Sequence, residues 1–99
     1  MKFGLKESTI RKVKAVFQSY PGVESVLIYG SRAKGNYQIG SDIDLTLKGE
    51  NLSSKLFSIE NGIDDLLLPY KVDLSIYDDI TNPDLIDHID RVGQTFYER

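Results

Sequence analysis

The chain has 99 residues, 40% apolar and 27% charged, with a formal net charge of −3 and no cysteine. That length suits one small domain over residues 1–99; the missing cysteines exclude disulfides and thiolate metal sites, and no apolar run is long enough to span a bilayer as a helix. The acidic balance, without a continuous basic stripe, argues against tracking a long nucleic acid, whose phosphates are gripped by lysine and arginine.

The opening residues, Met1 to Lys6, are not followed by the apolar core of a signal peptide, so the cytoplasm is the expected location. Ile10, Val13, Val16, Phe17 and Tyr20 recur at helical spacing and predict a helix from Lys6 to Tyr20, stopped by Pro21-Gly22. Val23 to Tyr29 reads as a strand whose last four residues are apolar on both faces. Gly30 to Ser41 is polar and carries three glycines, the composition of a loop with room for one helical turn.

From Asp42 to Leu47 the pattern alternates: Asp42, Asp44 and Thr46 on one face, Ile43, Leu45 and Leu47 on the other. A turn at Lys48 to Asn51 leads to a second helix, from about Ser53 to Leu67, with Leu56, Ile59, Ile63 and Leu66 or Leu67 inward. Gly62 weakens it and Pro69 ends it. Val72 to Tyr77 alternates again, with Asp73, Ser75 and Tyr77 on the polar side. Asn82-Pro83 is a helix start, Leu85, Ile86, Ile89 and Val92 form its buried stripe, and Gly93 suits its C-terminal cap. Thr95-Phe96-Tyr97 reads as a short edge strand. The expected class is α/β (α+β), a small mixed sheet with helices packed on it.

Three carboxylates stand out. Asp42 and Asp44 leave the same face of one strand, where like charges repel unless a cation compensates them. Asp73 holds the equivalent polar position of another alternating strand, while Asp78-Asp79 reads as a strand-ending turn. If the two strands are neighbours, the three converge. Oxygen donors of this kind suit magnesium or manganese rather than zinc.

Gly30-Ser31 directly follows the buried strand. Glycine lets backbone approach a phosphate, and serine adds a hydroxyl and an N–H, so the pair predicts a phosphate cradle. Arg32 and Lys34 could neutralise phosphate charge or be plain loop cations. Neither G-K-[ST] nor G-x-G-x-x-G is present, which excludes a P-loop and a dinucleotide fingerprint.

Gly30-Ser31, ten intervening residues and Asp42-Ile43-Asp44 resemble the G-S-x10-D-x-D signature of the DNA polymerase β-like nucleotidyltransferase superfamily, with Asp73 where its third carboxylate is expected. The small size and the run from Tyr29 to Gly35 look like its minimal nucleotidyltransferase (MNT) branch. The resemblance implies the polymerase β-like fold and transfer of AMP from ATP. It also implies that Asp42, Asp44 and Asp73 hold two Mg2+ ions (or Mn2+), that Gly30 and Ser31 grip the nucleotide's phosphates, and that Arg32 adds a weaker contact. The implied partner is a HEPN-domain protein, and the implied role that of an antitoxin modifying a hydroxyl on it, with homo- or hetero-oligomers open.

Two other functions compete: an antitoxin that neutralises a HEPN ribonuclease by binding alone, and transfer to a small molecule such as an aminoglycoside. The short chain has little surface with which to enclose a small acceptor, which ranks the last reading lowest. Phe96 and Tyr97 could belong to a partner interface or to the core. Tyr37 reads as an exposed loop residue. The lone His88, among Asp87, Asp90 and Arg91, reads as a surface helix position.

Overall fold

In the computed structural model, which describes residues 1–99, the alternating stripes resolve into four strands and four α-helices. In chain order these are α1 (Glu7–Gln18), β1 (Val23–Tyr29), the one-turn α2 (Ser31–Lys34), β2 (Ile43–Gly49), α3 (Leu56–Asp64), β3 (Val72–Ile76), a 3-10 turn (Tyr77–Asp79), α4 (Pro83–Val92) and β4 (Gln94–Glu98). The strands form one sheet in the order β3-β2-β1-β4. β1 is antiparallel to β2 and β4; β2 and β3 are parallel and are joined through α3. A parallel pair needs such a crossover because both strands start at the same edge. The expected mixed sheet with packed helices is what forms.

Period-2 alternation sends Val26, Ile28, Ile43, Leu45 and Leu47 to one face, all fully buried. Val13 and Phe17 of α1 and Ile59 and Ile63 of α3 join them in one core cluster. Burying each such side chain is worth roughly 1.5–3 kcal/mol. Phe17 anchors an aromatic group, edge-on to Phe96 at 6.4 Å and 5.8 Å from Tyr97.

Both C-terminal aromatics therefore belong to the core, not to an exposed interface. Their burial at consecutive positions breaks strand alternation, and a bulge is the reason. Val26 pairs with Tyr97 and Leu27 with Thr95, so Phe96 is the extra residue.

The second helix is shorter than its stripe predicted, because Asp65 and Leu66 form a turn and Leu67 takes a left-handed conformation (φ 54°). Gly62 has a packing use. A Cβ there would lie 3.1 Å from Val16 Cγ1, so glycine lets α3 close onto α1. Asn82 caps α4 as expected, its Oδ1 accepting the N–H groups of Asp84 (2.9 Å) and Leu85 (3.4 Å). Gly93 does follow α4, but with extended backbone; a Cβ there would collide with the Ile89 carbonyl.

The opposite sheet face carries Tyr29, Asp44, Thr46, Asp73 and Ser75. It is not a plain solvated face. Thr46 is fully buried, its hydroxyl paired with Ser75 Oγ at 2.9 Å. α4 crosses this face, with His88 edge-on to Tyr29 at 6.2 Å and Asp90 accepting the Tyr77 hydroxyl at 2.7 Å.

Candidate active site

Register alone assembles the centre of the site. Asp44 of β2 is the direct partner of Asp73 on parallel β3 and of Tyr29 on antiparallel β1. Three side chains thus form a row across three strands, where β1 ends and β2 and β3 begin. Asp42 stands just ahead of β2 and is exposed; Asp73 is exposed and Asp44 half-buried.

The electrostatics reflect this crowding. Partial burial raises the Asp44 pKa above the ordinary carboxylate value, and the charges of Asp73 and Asp42 raise it further. His88 and Lys71 pull it down, without reversing the direction. Burial likewise raises the Tyr29 phenol; a hydrogen bond with Ser75 opposes the shift and Asp44 and Asp73 add to it. The site is an anionic cluster with excess negative charge, the condition that a cation relieves.

Gly30 turns the chain out of β1 with φ 75° and ψ −157°, which only glycine adopts without strain. A Cβ there would overlap Asp44 Oδ2, so the carboxylate lies directly against the glycine. Gly30 N–H donates to His88 Nε2 at 3.1 Å. Ser31, half-buried, opens α2, whose single turn is closed by Lys34 N–H on the Gly30 carbonyl at 3.1 Å. Gly30-Ser31 and Asp44 are therefore adjacent in space as well as spaced in sequence.

Arg32 corrects the expectation that it offers a phosphate contact. It is 2% exposed and turned inward. Its Nε and Nη2 donate to the Ser41 carbonyl at 3.0 and 2.9 Å, Nη1 to Phe3 O at 2.9 Å and Nη2 also to Ile39 O at 3.4 Å. The rings of Tyr70 and Tyr37 lie over it at 4.8 and 5.4 Å. The guanidinium clamps the loop just before Asp42, with four of its five N–H donors taken by backbone carbonyls and the side chain buried. Tyr37, 39% exposed, packs on this arginine rather than standing free. Lys34 is exposed.

Three residues near the centre escaped the sequence reading as site residues: Tyr29, Lys71 and His88. His88 is not an idle surface position; it touches Gly30 and Tyr29. Its signal was spacing, since it lies three residues after Leu85 and four before Val92, on the margin of the buried stripe. Tyr29 was hidden in an apolar run, and Lys71 reaches the site only because β3 lies beside β2.

The donor chemistry fits a hard divalent cation: carboxylate oxygens, with neither sulfur nor imidazole required. No three His, Cys, Asp or Glu side chains stand close enough to hold an ion among them. The expected convergence is thus a paired Asp44 and Asp73 with Asp42 nearby, not a closed protein cage. That is compatible with magnesium, which is usually held by one or two carboxylates together with substrate phosphates.

Residues 11–99 match the family described as Polymerase beta, Nucleotidyltransferase, and the chain belongs to that family. No curated protein matches it in sequence. Among solved structures, 96% of the chain overlays 75% of a chain in a toxin–antitoxin crystal structure with AMP-PNP, at TM-score 0.68 and 19% identity. A complex of tri-AMPylated Shewanella oneidensis HEPN toxin with MNT antitoxin gives TM-score 0.65 at 14% identity, covering 96% of this chain and 74% of that one. The whole chain overlays 90% of an inferred nucleotidyltransferase from Sulfolobus solfataricus, at TM-score 0.54 and 26% identity. The fold is that of a small polymerase β-like nucleotidyltransferase.

Proposed function

We propose that this chain transfers AMP from ATP to a hydroxyl of a HEPN-type partner protein, most simply a tyrosine, serine or threonine, and thereby acts as its antitoxin. The observation that carries the reading is the pairing of Asp44 with Asp73 directly beside the Gly30 turn. Structural similarity to chains from toxin–antitoxin complexes, one holding AMP-PNP and one a tri-AMPylated HEPN toxin, supports the nucleotide and the partner class.

In this reading Asp42, Asp44 and Asp73 would hold magnesium, which supplies charge neutralisation for the triphosphate and for the leaving pyrophosphate. Ser31 offers its hydroxyl and N–H to the terminal phosphates, and Gly30, its own N–H held by His88, lets the backbone approach them. Asp73, exposed at the strand edge, accepts the proton of the acceptor hydroxyl. The acceptor oxygen bonds to the α-phosphorus as the bond to the β-phosphate oxygen breaks, and pyrophosphate leaves. Asp42 and Asp73 are exposed, which leaves the partner to complete the acceptor position.

The test is incubation with α-labelled ATP, magnesium and a HEPN-type protein encoded beside this chain, with an Asp42→Ala/Asp44→Ala variant in parallel. Label on the partner is expected only with the native chain, the variant losing orders of magnitude. Equal neutralisation of the partner by native and variant chains without label would replace transfer by binding alone.

A further inference from the structure

Gly30 occupies a weak point of the sheet. The pairing of β1 with β4 ends at Ile28 and with β2 at Tyr29, so the Gly30 N–H has no strand partner. Its backbone conformation is one that only glycine populates freely, which leaves the turn little intrinsic preference for a single geometry. Yet the turn has to keep Gly30 against Asp44 and Ser31 at the head of α2. What fixes it comes from 58 residues further along the chain, where His88 Nε2 accepts the Gly30 N–H at 3.1 Å.

That histidine is itself well held. The T-shaped contact with Tyr29 sets its ring plane. α4 is anchored by the Asn82 cap, by Tyr77 on Asp90 and by Ile89, which is 1% exposed. The other polar side chains of its middle turns are engaged elsewhere, Asp87 with Arg91 and Asp90 with Tyr77. His88 is the α4 side chain that hydrogen-bonds the turn. In that bond Nε2 is the acceptor and the Gly30 N–H the donor.

We infer that His88 is a positioning residue for the nucleotide site: by accepting the Gly30 N–H it locks the Gly30-Ser31 turn against Asp44, in the geometry that receives the phosphates. This rests on the proposed nucleotidyl-transfer reading, since a locked turn matters only if phosphates bind there. Glutamine places its amide oxygen close to where histidine places Nε2, whereas leucine fills similar space without an acceptor.

The experiment uses the full chain as native protein, His88→Gln and His88→Leu. Scalar coupling across the hydrogen bond between the 15N nuclei of Gly30 and His88 Nε2 is measured by NMR. Affinity for AMP-PNP with magnesium is measured by calorimetry, and melting is recorded for all three. The inference expects the coupling in the native chain and, for His88→Leu, a shifted Gly30 amide with roughly tenfold weaker nucleotide binding, the worth of one such hydrogen bond. It expects His88→Gln to restore affinity to within about twofold of native. Native-like binding by a folded His88→Leu overturns the inference and leaves the transfer reading intact. Absence of the coupling, or His88→Gln binding no better than His88→Leu, also overturns it. Failure of the native chain to bind AMP-PNP, with the coupling present, overturns the phosphate role of the turn and this inference with it.

Discussion

Asp44 is the residue at which stability and the proposed function pull apart. Burial and its acidic neighbours raise its folded pKa, so the folded chain binds a proton at pH values where the unfolded chain has lost it. The sign follows: the contribution of Asp44 to stability is greatest below the ordinary carboxylate value and is lost as pH rises through its folded pKa. Denaturant titrations of the metal-free chain across this acidic window should show that loss, and Asp44→Asn should flatten it. At neutral pH, without metal, Asp44→Asn is expected to be at least as stable as the native chain while losing transfer. Magnesium should stabilise the native chain above that window and leave the variant unmoved. At Gly30 the constraints are steric. Gly30→Ala would force an alanine to φ near 75° and drive its Cβ into the Asp44 carboxylate. A loss of about 1–2 kcal/mol from backbone conformation alone is expected, with nucleotide binding reduced further; chemical denaturation and calorimetry read the two effects separately.

Among the elements, the strands were the most legible, because period 2 in β2 and β3 is unambiguous once Ile43, Leu45, Val72 and Leu74 are marked. Helix ends were less so. The apolar stripe of α3 continues into Leu66 and Leu67, but the chain there leaves the helix, and Leu67 is 87% exposed with a positive φ. Leucine in that conformation is strained and buries nothing in return. Leu67→Gly should therefore stabilise the chain by roughly 1 kcal/mol, seen as a rise in urea midpoint at unchanged slope. Phe96 and Tyr97 are a second case. Alternation would have put one of them in solvent; the bulge in β4 brings both into the core.

For the molecule as a whole, one core has to hold the site. The sheet buries its apolar face under α1 and α3, and Phe17 joins both C-terminal aromatics to it. Phe17→Ala is expected to cost about 3–5 kcal/mol, a large share of what a domain of 99 residues possesses. Thermal melting should show a severely lowered transition, and nucleotide binding should fail with it although Phe17 lies on the face away from the carboxylates. Such a loss would report folding and not partner contact. The same holds for substitutions at Phe96 or Tyr97, which therefore make poor probes of an interface.

The sequence by itself determined the order of elements, the two polar strand faces and the G-S-x10-D-x-D spacing, because each depends on short-range periodicity or on a motif whose residues lie within fifteen positions of one another. Only the tertiary structure decided that β3 lies in register beside β2, which pairs Asp73 with Asp44 across 29 residues. It also decided that Arg32 turns inward to hold the loop, and that His88 reaches Gly30 from α4. The physical reason is common to all three. A side chain's chemistry is local, but its partner is chosen by how helices pack on the sheet, and that choice leaves no period in the sequence.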